Sequence, residues 1–196
     1  LYRHRIGSVG TMAGVVEVRL VDSNGDPVPV GETGEITIRG PNIMKGYFNR
    51  PEETKETLKD GWLYSGDIGR FDQEGYLYVV DRIKDLIISG GLNVYPSEVE
   101  GVLYTHPAID ECAVVGMPHA EYGEAVTAFV IPNNDLKVTE AELIAHCKKY
   151  IASYKAPKSV VFVEDLPKSA AGKILRRKIR EVLTSQVVGP LQTQGT

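Results

Sequence analysis

Apolar and polar residues alternate in three segments of the first part of the chain, at 15–21, 35–39 and 76–80. A period of two is typical of strands with one buried face. An Asn-Gly pair at 24–25 lies between the first two segments and predicts a tight turn. Residues 1–81 are therefore predicted to be β-rich, in the form of a small barrel or sandwich.

Helical and extended patterns alternate from about residue 85 onward. Two helices are predicted because a capping-box pair precedes an apolar stripe of helical spacing in each case. The capping pairs are Ser97/Glu100 and Thr139/Glu142, and the stripes are Val99, Val102 and Leu103, then Leu143, Ile144 and Cys147.

Three further apolar runs are short enough to be strands, at 112–115, 125–131 and 159–163, and a basic helix is predicted at 174–183. Three strands with helices on one face form a compact α+β domain. This domain is predicted to cover 86–184. The remaining residues, 185–196, are polar and are predicted to be disordered.

The composition is that of an ordinary globular protein and excludes several classes. Hydrophobic residues make up 42% and charged residues 24%, and the formal net charge is −4. Apolar runs fall short of the roughly 20 residues that span a bilayer, the chain does not begin like a signal peptide, and a dedicated nucleic-acid binder would be basic. Cys112 and Cys147 are too few for a disulfide framework. We expect both to be small core residues of a protein in a reducing compartment.

Asp67 is the first candidate functional residue, at the end of the Tyr64-Ser65-Gly66-Asp67 segment. A carboxylate placed here can accept hydrogen bonds from the hydroxyl groups of a sugar such as ribose. The same four residues are also typical of a β-turn with a capping aspartate. The residues alone leave both interpretations open.

A second candidate segment joins the β-rich part to the α+β part. Charged residues at 81–85 precede an apolar run that leads directly into Ser89, Gly90 and Gly91. Paired glycines allow a backbone to approach a ligand closely and to adopt positive φ. The alternative interpretation is a charged linker that leads into a hairpin.

The third candidate is Lys173, in a loop of small residues at the start of the basic helix. Ten Lys and Arg residues but only two acidic residues lie between Lys148 and Arg180, so a local positive field exists within an acidic chain. A lysine in this setting can bind phosphate or carboxylate oxygens. The alternative is a solvated basic helix face, and the full phosphate-loop pattern is absent.

In this order and spacing, these segments resemble the C-terminal third of the AMP-forming acyl-CoA synthetases. That family belongs to the adenylate-forming superfamily, with luciferases and peptide-synthetase adenylation domains. The resemblance covers residues 7–180 and rests on Gly34-Glu35-Ile36 to Gly40 with Gly46-Tyr47, on Tyr64-Ser65-Gly66-Asp67, on Asp81-Arg82-Ile83-Lys84-Asp85, on Ser89-Gly90-Gly91 and on Gly172-Lys173. It implies that 1–81 is the end of a large N-terminal domain with a distorted barrel and that 82–85 is a hinge.

The resemblance also implies two half-reactions, in which acid and ATP give an acyl-adenylate and pyrophosphate, and CoA then gives acyl-CoA and AMP. Asp67 would hold the ribose hydroxyls of ATP with help from Arg82, and Lys173 would be the catalytic residue that bridges the acid and the phosphate. Lys84 would be the hinge residue that lets the small domain present first the Lys173 loop and then its opposite face. A fatty or aromatic acid is expected, with the acid pocket and the Mg²⁺ ligand outside this chain.

CoA binding is implied for six residues: Ser89, Gly90, Gly91, Tyr122, Tyr154 and Lys158. The glycine pair would line the pantetheine channel, Tyr122 would stack on the adenine, and Tyr154 and Lys158 would flank the phosphates. For each tyrosine the alternative is ordinary half-buried packing. Ala156 and Asn93 stand where some relatives have an arginine or an aromatic gate, so those contacts are not implied here.

Other interpretations of the function stay open. Because Leu1 is not an initiating Met and the family's phosphate loop is missing, we expect a piece of a longer protein that is inactive when isolated. The chain could instead be a stand-alone CoA- or nucleotide-binding module, or belong to another adenylate-forming enzyme. Docking of the basic helix to RNA or a membrane is a weaker alternative. The expected protein is cytoplasmic, free or at a membrane surface, with small-molecule substrates, no nucleic-acid partner and no transmembrane segment.

Overall fold

The structure is a computed structural model that describes residues 5–133 and 136–187. The chain divides into two compact units, Leu1–Lys84 and Asp85–Thr196. The division falls inside the segment 82–85 that the sequence predicts as a hinge, in a short 3-10 helix at Ile83–Asp85.

The first unit is an antiparallel sheet with one short helix. Its strands are β1 (Glu17–Val21), β2 (Thr33–Arg39), β3 (Leu58–Lys59), β4 (Trp62–Phe71) and β5 (Leu77–Arg82), and its helix is α1 (Pro51–Thr57). The strand order is β1-β2-β4-β3, and β5 pairs with β4. The three strands predicted from the alternating pattern correspond to β1, β2 and β5. This confirms the β-rich character of the first part of the chain.

The longest strand of this unit, β4, was not predicted. Tyr64, Ser65, Gly66 and Asp67 lie inside it rather than in a β-turn, so the turn interpretation is wrong. Gly66 has φ +74°, and such a residue interrupts the alternation by which a strand is recognised in a sequence.

The second unit is a mixed sheet with three helices. Its strands are β6 (Ile87–Ser89), β7 (Leu92–Val94), β8 (Ile109–His119), β9 (Gly123–Pro132) and β10 (Ser159–Phe162), and its helices are α2 (Pro96–Leu103), α3 (Glu140–Tyr150) and α4 (Arg176–Val187). The order is β10-β9-β6-β7, and β8 also pairs with β9. The α+β class is confirmed. The expected count of three strands is wrong, because the apolar run and the glycine pair form the additional hairpin β6–β7.

The second unit packs helices on both faces of its sheet rather than on one face, as was expected. Alternate residues of β8 and β9 point to two separate cores. One core contains Val114 and Val126 with residues of α2 and α3, and the other contains Val115 and Phe129 with Ile179 of α4. The second covered face was not predicted because β8 and β9 are apolar on both faces. Such strands show no alternation of apolar and polar residues, so their sequence does not tell whether helices cover one face or two.

One of the two predicted capping boxes is present. Thr139 Oγ1 accepts a hydrogen bond from the Glu142 amide, and the Glu142 carboxylate accepts one from the Thr139 amide. The prediction of a capping box at Ser97/Glu100 is wrong. Helix α2 begins at Pro96 after the N-cap Tyr95, and it has no side-chain cap hydrogen bond.

The last helix also differs from its predicted bounds. It begins at Arg176, since Ile174 forms a β-bridge with Lys168. It continues to Val187, so residues 185–187 are helical and not part of a disordered tail. The rest of that predicted tail, 188–196, lies outside the described residues. Within the part of the chain that the structure describes, no helix combines the length and the apolar character needed to cross a membrane.

We predict that Cys112 and Cys147 resist alkylation in the folded protein. Both thiols are buried. Burial raises the pKa of Cys112 to about 12, with the negative charge of Glu100 adding to the effect, and burial raises the pKa of Cys147 to about 11. Only the thiolate reacts with iodoacetamide, so peptide mapping after treatment at about pH 8 should find both residues unmodified. Guanidinium chloride should make both reactive, and labelling of either thiol in the native protein would contradict this placement.

Candidate functional site

Asp67 and Arg82 face each other across two neighbouring strands of the first unit. They are register partners in the β4–β5 ladder, and Arg82 Nε lies 3.3 Å from Asp67 Oδ1. Relative exposures of 36% for the Asp67 side chain and 56% for the Arg82 side chain leave both accessible to a ligand. Two of the three residues that the resemblance assigned to ATP, Asp67 and Arg82 but not Lys173, are therefore shown to lie together.

An irregularity in β4 sets the position of Asp67. Ser65 Oγ donates to the carbonyl of Ile36 at 2.7 Å and accepts from the Asp67 amide at 3.1 Å. The Gly66 amide donates to Glu35 Oε1 at 3.0 Å. The pairing of β2 with β4 shifts register at this point. These bonds fix the local backbone because they occupy groups that a regular ladder would have paired.

A pocket of about 540 Å³ lies beside these residues within the first unit; its lining is Glu35, Ser65, Gly66, Asp67, Arg82, Ile83 and Lys84. Two carboxylates can accept hydrogen bonds from hydroxyl groups, and two cations can attract oxyanions. The pocket is thus suited to a phosphorylated sugar. Glu35 was missed as a site residue. The only sequence signal for it was its place in the Gly34-Glu35-Ile36 motif.

The Gly90–Gly91 pair forms the loop of the β6–β7 hairpin in the second unit. Both residues have positive φ, +59° and +79°, which a two-residue hairpin loop of this kind requires at both positions. Ser89 next to them is buried and pairs with Gly123 of β9. The hairpin part of the alternative interpretation is therefore correct, and the hairpin is anchored to the sheet.

Tyr122 lies against this loop, and Lys158 lies against Tyr122. The Gly90 amide donates to the Tyr122 carbonyl at 2.9 Å, and Lys158 Nζ lies 5.2 Å from the centroid of the Tyr122 ring. His119, which the sequence analysis missed, also contacts Tyr122. The two rings stack with centroids 4.8 Å apart and an interplanar angle of 19°. Four of the predicted CoA residues (Ser89, Gly90, Tyr122 and Lys158) are connected in this way.

Two other positions near this cluster have different surroundings. Tyr154 is exposed and has Lys155 Nζ 5.9 Å from its ring centroid. Ala156 is fully buried in the core with α2 and α3. The position at which some relatives have an arginine is thus part of the apolar core in this chain.

Lys173 lies in a tight loop that the Lys168–Ile174 bridge closes. The Ser169 amide donates to the Lys173 carbonyl at 2.8 Å, and Ser169 Oγ accepts from the Lys173 amide at 3.2 Å. The Lys173 side chain is exposed. Among the residues that the structure describes, no carboxylate forms a salt bridge with its ammonium group. The loop therefore presents a free cation on a fixed backbone.

A mostly buried ion pair holds the base of this loop. Arg176 Nη2 lies 2.8 and 2.7 Å from the two carboxylate oxygens of Glu100, and Arg176 Nη1 lies 3.5 Å from Asp85 Oδ2. Glu100 Oε1 also accepts a hydrogen bond from the amide of Val114 in β8 at 2.8 Å. Helix α2, strand β8, helix α4 and the first residue of the second unit are joined at one point.

The chain matches two family models, the AMP-binding enzyme over residues 2–48 and the AMP-binding enzyme C-terminal domain over residues 98–173. It is 49% identical to a feruloyl-CoA synthase of Amycolatopsis sp over 176 residues, covering 90% of this chain and 36% of that protein. It is 48% identical to a long-chain-fatty-acid–CoA ligase of Yersinia pestis, covering 91% and 32%. The crystal structure of ATP-bound MatB from Rhodopseudomonas palustris superposes with a TM-score of 0.86 at 39% identity, covering 92% and 36%. The chain thus spans about a third of the length of these relatives.

We predict that Arg176→Ala destabilises the second unit by about 3 kcal/mol, because Glu100 and Asp85 then lose their shared cation in a mostly buried place. Chemical denaturation measures this free energy of unfolding. Arg177→Ala is the matched control. Its ion pair with Glu181 is far more exposed, with side-chain exposures of 90% and 56%, so it should cost less than about 0.5 kcal/mol. Equal losses in the two variants would show that the Glu100 pair has no special role.

Proposed function

We propose that the chain is the C-terminal part of an ATP-dependent, AMP-forming acid–CoA ligase, because it matches the AMP-binding enzyme models over residues 2–48 and 98–173. The observation that carries this proposal is the pocket at Asp67 and Arg82, in a chain that also presents the free cation of Lys173. A ligase of this kind joins a carboxylic acid to CoA and releases AMP and pyrophosphate. The similarity to CoA ligases for ferulate and long-chain fatty acids favours an aromatic or fatty acid as the substrate.

In this proposal, Asp67 binds the ribose of ATP. An ionised carboxylate has lone pairs for two neighbouring hydroxyl groups, and Arg82 keeps it oriented through the contact between Nε and Oδ1. Arg82 retains donors on its two Nη atoms for phosphate oxygens, since a guanidinium offers five N–H groups. Glu35 supplies a second acceptor on the wall of the same pocket.

Lys173 stabilises the charge that forms during adenylation. A carboxylate oxygen of the acid attacks the α-phosphorus of ATP, the bond to the β-phosphate oxygen breaks, and pyrophosphate leaves with the electron pair. Negative charge increases on the oxygens between the two reactants. A preformed cation there lowers the barrier most where water is excluded. The rigid loop serves this purpose because it limits the reorganisation of the lysine backbone.

The Gly90–Gly91 loop and the Tyr122–Lys158 pair bind CoA in the second half-reaction. The thiol sulfur attacks the acyl carbon, the thiol proton is released to solvent, and AMP leaves with the electrons of the acyl–phosphate bond. We assign Tyr122, whose ring stacks on His119, to the adenine, and Lys158, whose Nζ lies over the same ring, to the phosphates. We assign Tyr154 to the same nucleotide end, and Ser89 and Gly91 to the pantetheine channel with Gly90.

The two loops of the second unit adjoin different hydrophobic cores, which supports a change of orientation between the half-reactions. Ile174 beside Lys173 packs with the core under α4, whereas Ile87 and Val94, which flank the glycine loop, pack with the core under α2 and α3. A rotation at Lys84 would present these loops in turn. Small φ and ψ changes at a few residues are sufficient for such hinge motions.

Mg²⁺ is assigned to a part of the protein outside this chain. Within the described residues, no group of three or more His, Cys, Asp or Glu residues could hold a metal ion. We propose a cytoplasmic location because unpaired thiols such as Cys112 and Cys147 persist in reducing compartments.

We predict that Lys173→Ala in the full-length protein lowers acid-dependent pyrophosphate exchange by at least about 100-fold, since one preorganised charge contributes about this much. Conversion of a preformed acyl-adenylate to acyl-CoA should change less than about threefold, because the lysine acts in the first half-reaction. Lys178→Ala, which removes an exposed lysine of α4, is the control and should leave both reactions intact. Equal losses of both half-reactions in Lys173→Ala would refute this division. Binding of CoA without any acid-dependent AMP formation by the unmodified protein would favour the non-catalytic module instead.

We predict that Lys84→Pro slows thioester formation while adenylation continues. Proline fixes φ near −65° and restricts the preceding residue as well, so the backbone rotation at the hinge is blocked. The two half-reactions are measured separately, by pyrophosphate exchange and by acyl-CoA formation. Lys84→Ala removes the same pocket cation but keeps the rotational freedom, so any loss should affect both half-reactions and leave the ratio between them unchanged. Normal overall turnover of Lys84→Pro would contradict a rotation at this residue.

A further inference from the structure

Glu124 connects the strand that carries the glycine loop to the rest of the sheet of the second unit. Its Oε2 accepts a hydrogen bond from the amide of Ile88 in β6 at 2.9 Å. Glu124 itself lies at the start of β9, one residue after Gly123, which pairs with Ser89. The Ile88 amide therefore donates to the side chain of Glu124, at the place where a continued β6–β9 ladder would have it donate to a backbone carbonyl.

Gly116 of β8 provides the space for this carboxylate. A Cβ atom at position 116 would lie 2.9 Å from the carboxyl carbon and 2.9 and 3.0 Å from the two oxygens of Glu124. Gly116 is not among the glycines with positive φ, so a side chain here would not strain the backbone but would displace the carboxylate of Glu124 from its position. The sequence therefore contains both the carboxylate and the gap that it occupies.

The β6–β7 hairpin has few other attachments near its loop. Register pairing of β6 with β9 occurs at Ser89 and Gly123, and the Gly90 amide donates to the Tyr122 carbonyl. Each strand of the hairpin has only three residues, and a two-stranded hairpin of this length is marginal without outside support. The bond from Ile88 to Glu124 is thus one of the polar contacts that attach the hairpin to β9, beside the packing of Ile87 and Val94 in the core.

We propose that Glu124 is a positioning residue for the thioester half-reaction. Its carboxylate holds the Gly90–Gly91 loop against Tyr122, so that the surface for the thiol arm of CoA is formed before the substrate binds. This inference rests on the proposed ligase function. Glu124 takes no proton and touches no reacting atom. Its effect is to remove the cost of ordering the loop when CoA binds, a cost that otherwise weakens affinity.

The test uses the full-length protein and three substitutions. Glu124→Ala removes the acceptor. Gly116→Ala adds a methyl group that displaces the carboxylate while Glu124 remains. Glu124→Gln keeps an oxygen that can accept from the Ile88 amide. We expect KM for CoA to increase about tenfold in the first two variants, which is the effect of one lost hydrogen bond, with kcat within twofold. Glu124→Gln should remain within about threefold of the unmodified protein.

Two controls separate positioning from charge and from folding. Glu121→Ala removes the same charge beside Tyr122 from a residue that is exposed, and it should leave KM for CoA unchanged. Pyrophosphate exchange should be unchanged in all variants, because the loop is not used in adenylation. A similar rise of KM in Glu121→Ala, or no rise in Glu124→Ala and Gly116→Ala, overturns the proposal. A Glu124→Gln variant as defective as Glu124→Ala overturns the hydrogen-bond argument.

Hydrogen exchange at the Ile88 and Gly90 amides gives a readout that needs no catalysis. Exchange should be about tenfold faster in Glu124→Ala and Gly116→Ala than in the unmodified protein, and near normal in Glu124→Gln. If the unmodified protein forms no acyl-CoA with any acid, the ligase function fails and the catalytic part of this inference fails with it. If exchange is unchanged in Glu124→Ala and Gly116→Ala while the unmodified protein has ligase activity, the proposed role of Glu124 is wrong and the ligase function stands.

Discussion

The ion pair between Arg176 and Glu100 is the contact on which the arrangement of the second unit depends. Glu100 accepts from both Arg176 and the Val114 amide, and Asp85 lies on the other side of the guanidinium. Such a pair gains little over apolar packing in free energy, but breaking it leaves an uncompensated charge. Its contribution is therefore to specify one arrangement, in which α4 and the Lys173 loop are held against the sheet.

This contact also explains the failure of the capping box predicted for α2. The Ser97/Glu100 spacing is correct for a cap, but a carboxylate near a buried arginine is worth more there than at an exposed helix end. Local spacing predicts only local hydrogen bonds, and the competing arginine is 76 residues away. At Thr139/Glu142 the carboxylate accepts hydrogen bonds from the amide and the hydroxyl of Thr139, and the local prediction is correct.

Much of the fold and part of the candidate site could be predicted from the sequence, because period and turn chemistry are local. The alternating strands, the helices α2 and α3 and the positive φ of Gly90 and Gly91 belong to this group. The residues that were missed lie on strands or turns whose neighbours are set by register. Glu35 reaches the Gly66 amide across β2 and β4, and His119 meets Tyr122 at the β8–β9 turn. A one-residue change in register would separate these partners.

The glycines of the second unit have two different physical functions, and only one of them can be recognised from a sequence. Gly90 and Gly91 adopt positive φ in a hairpin loop, and adjacent glycines are a known signal for this. Gly116 adopts an ordinary strand conformation, and its missing Cβ matters because a carboxylate from the next strand fills that space. The second function requires knowledge of the neighbour. A site built on it is therefore invisible until the strands are paired, even though the loop that it supports is among the clearest signals in the chain.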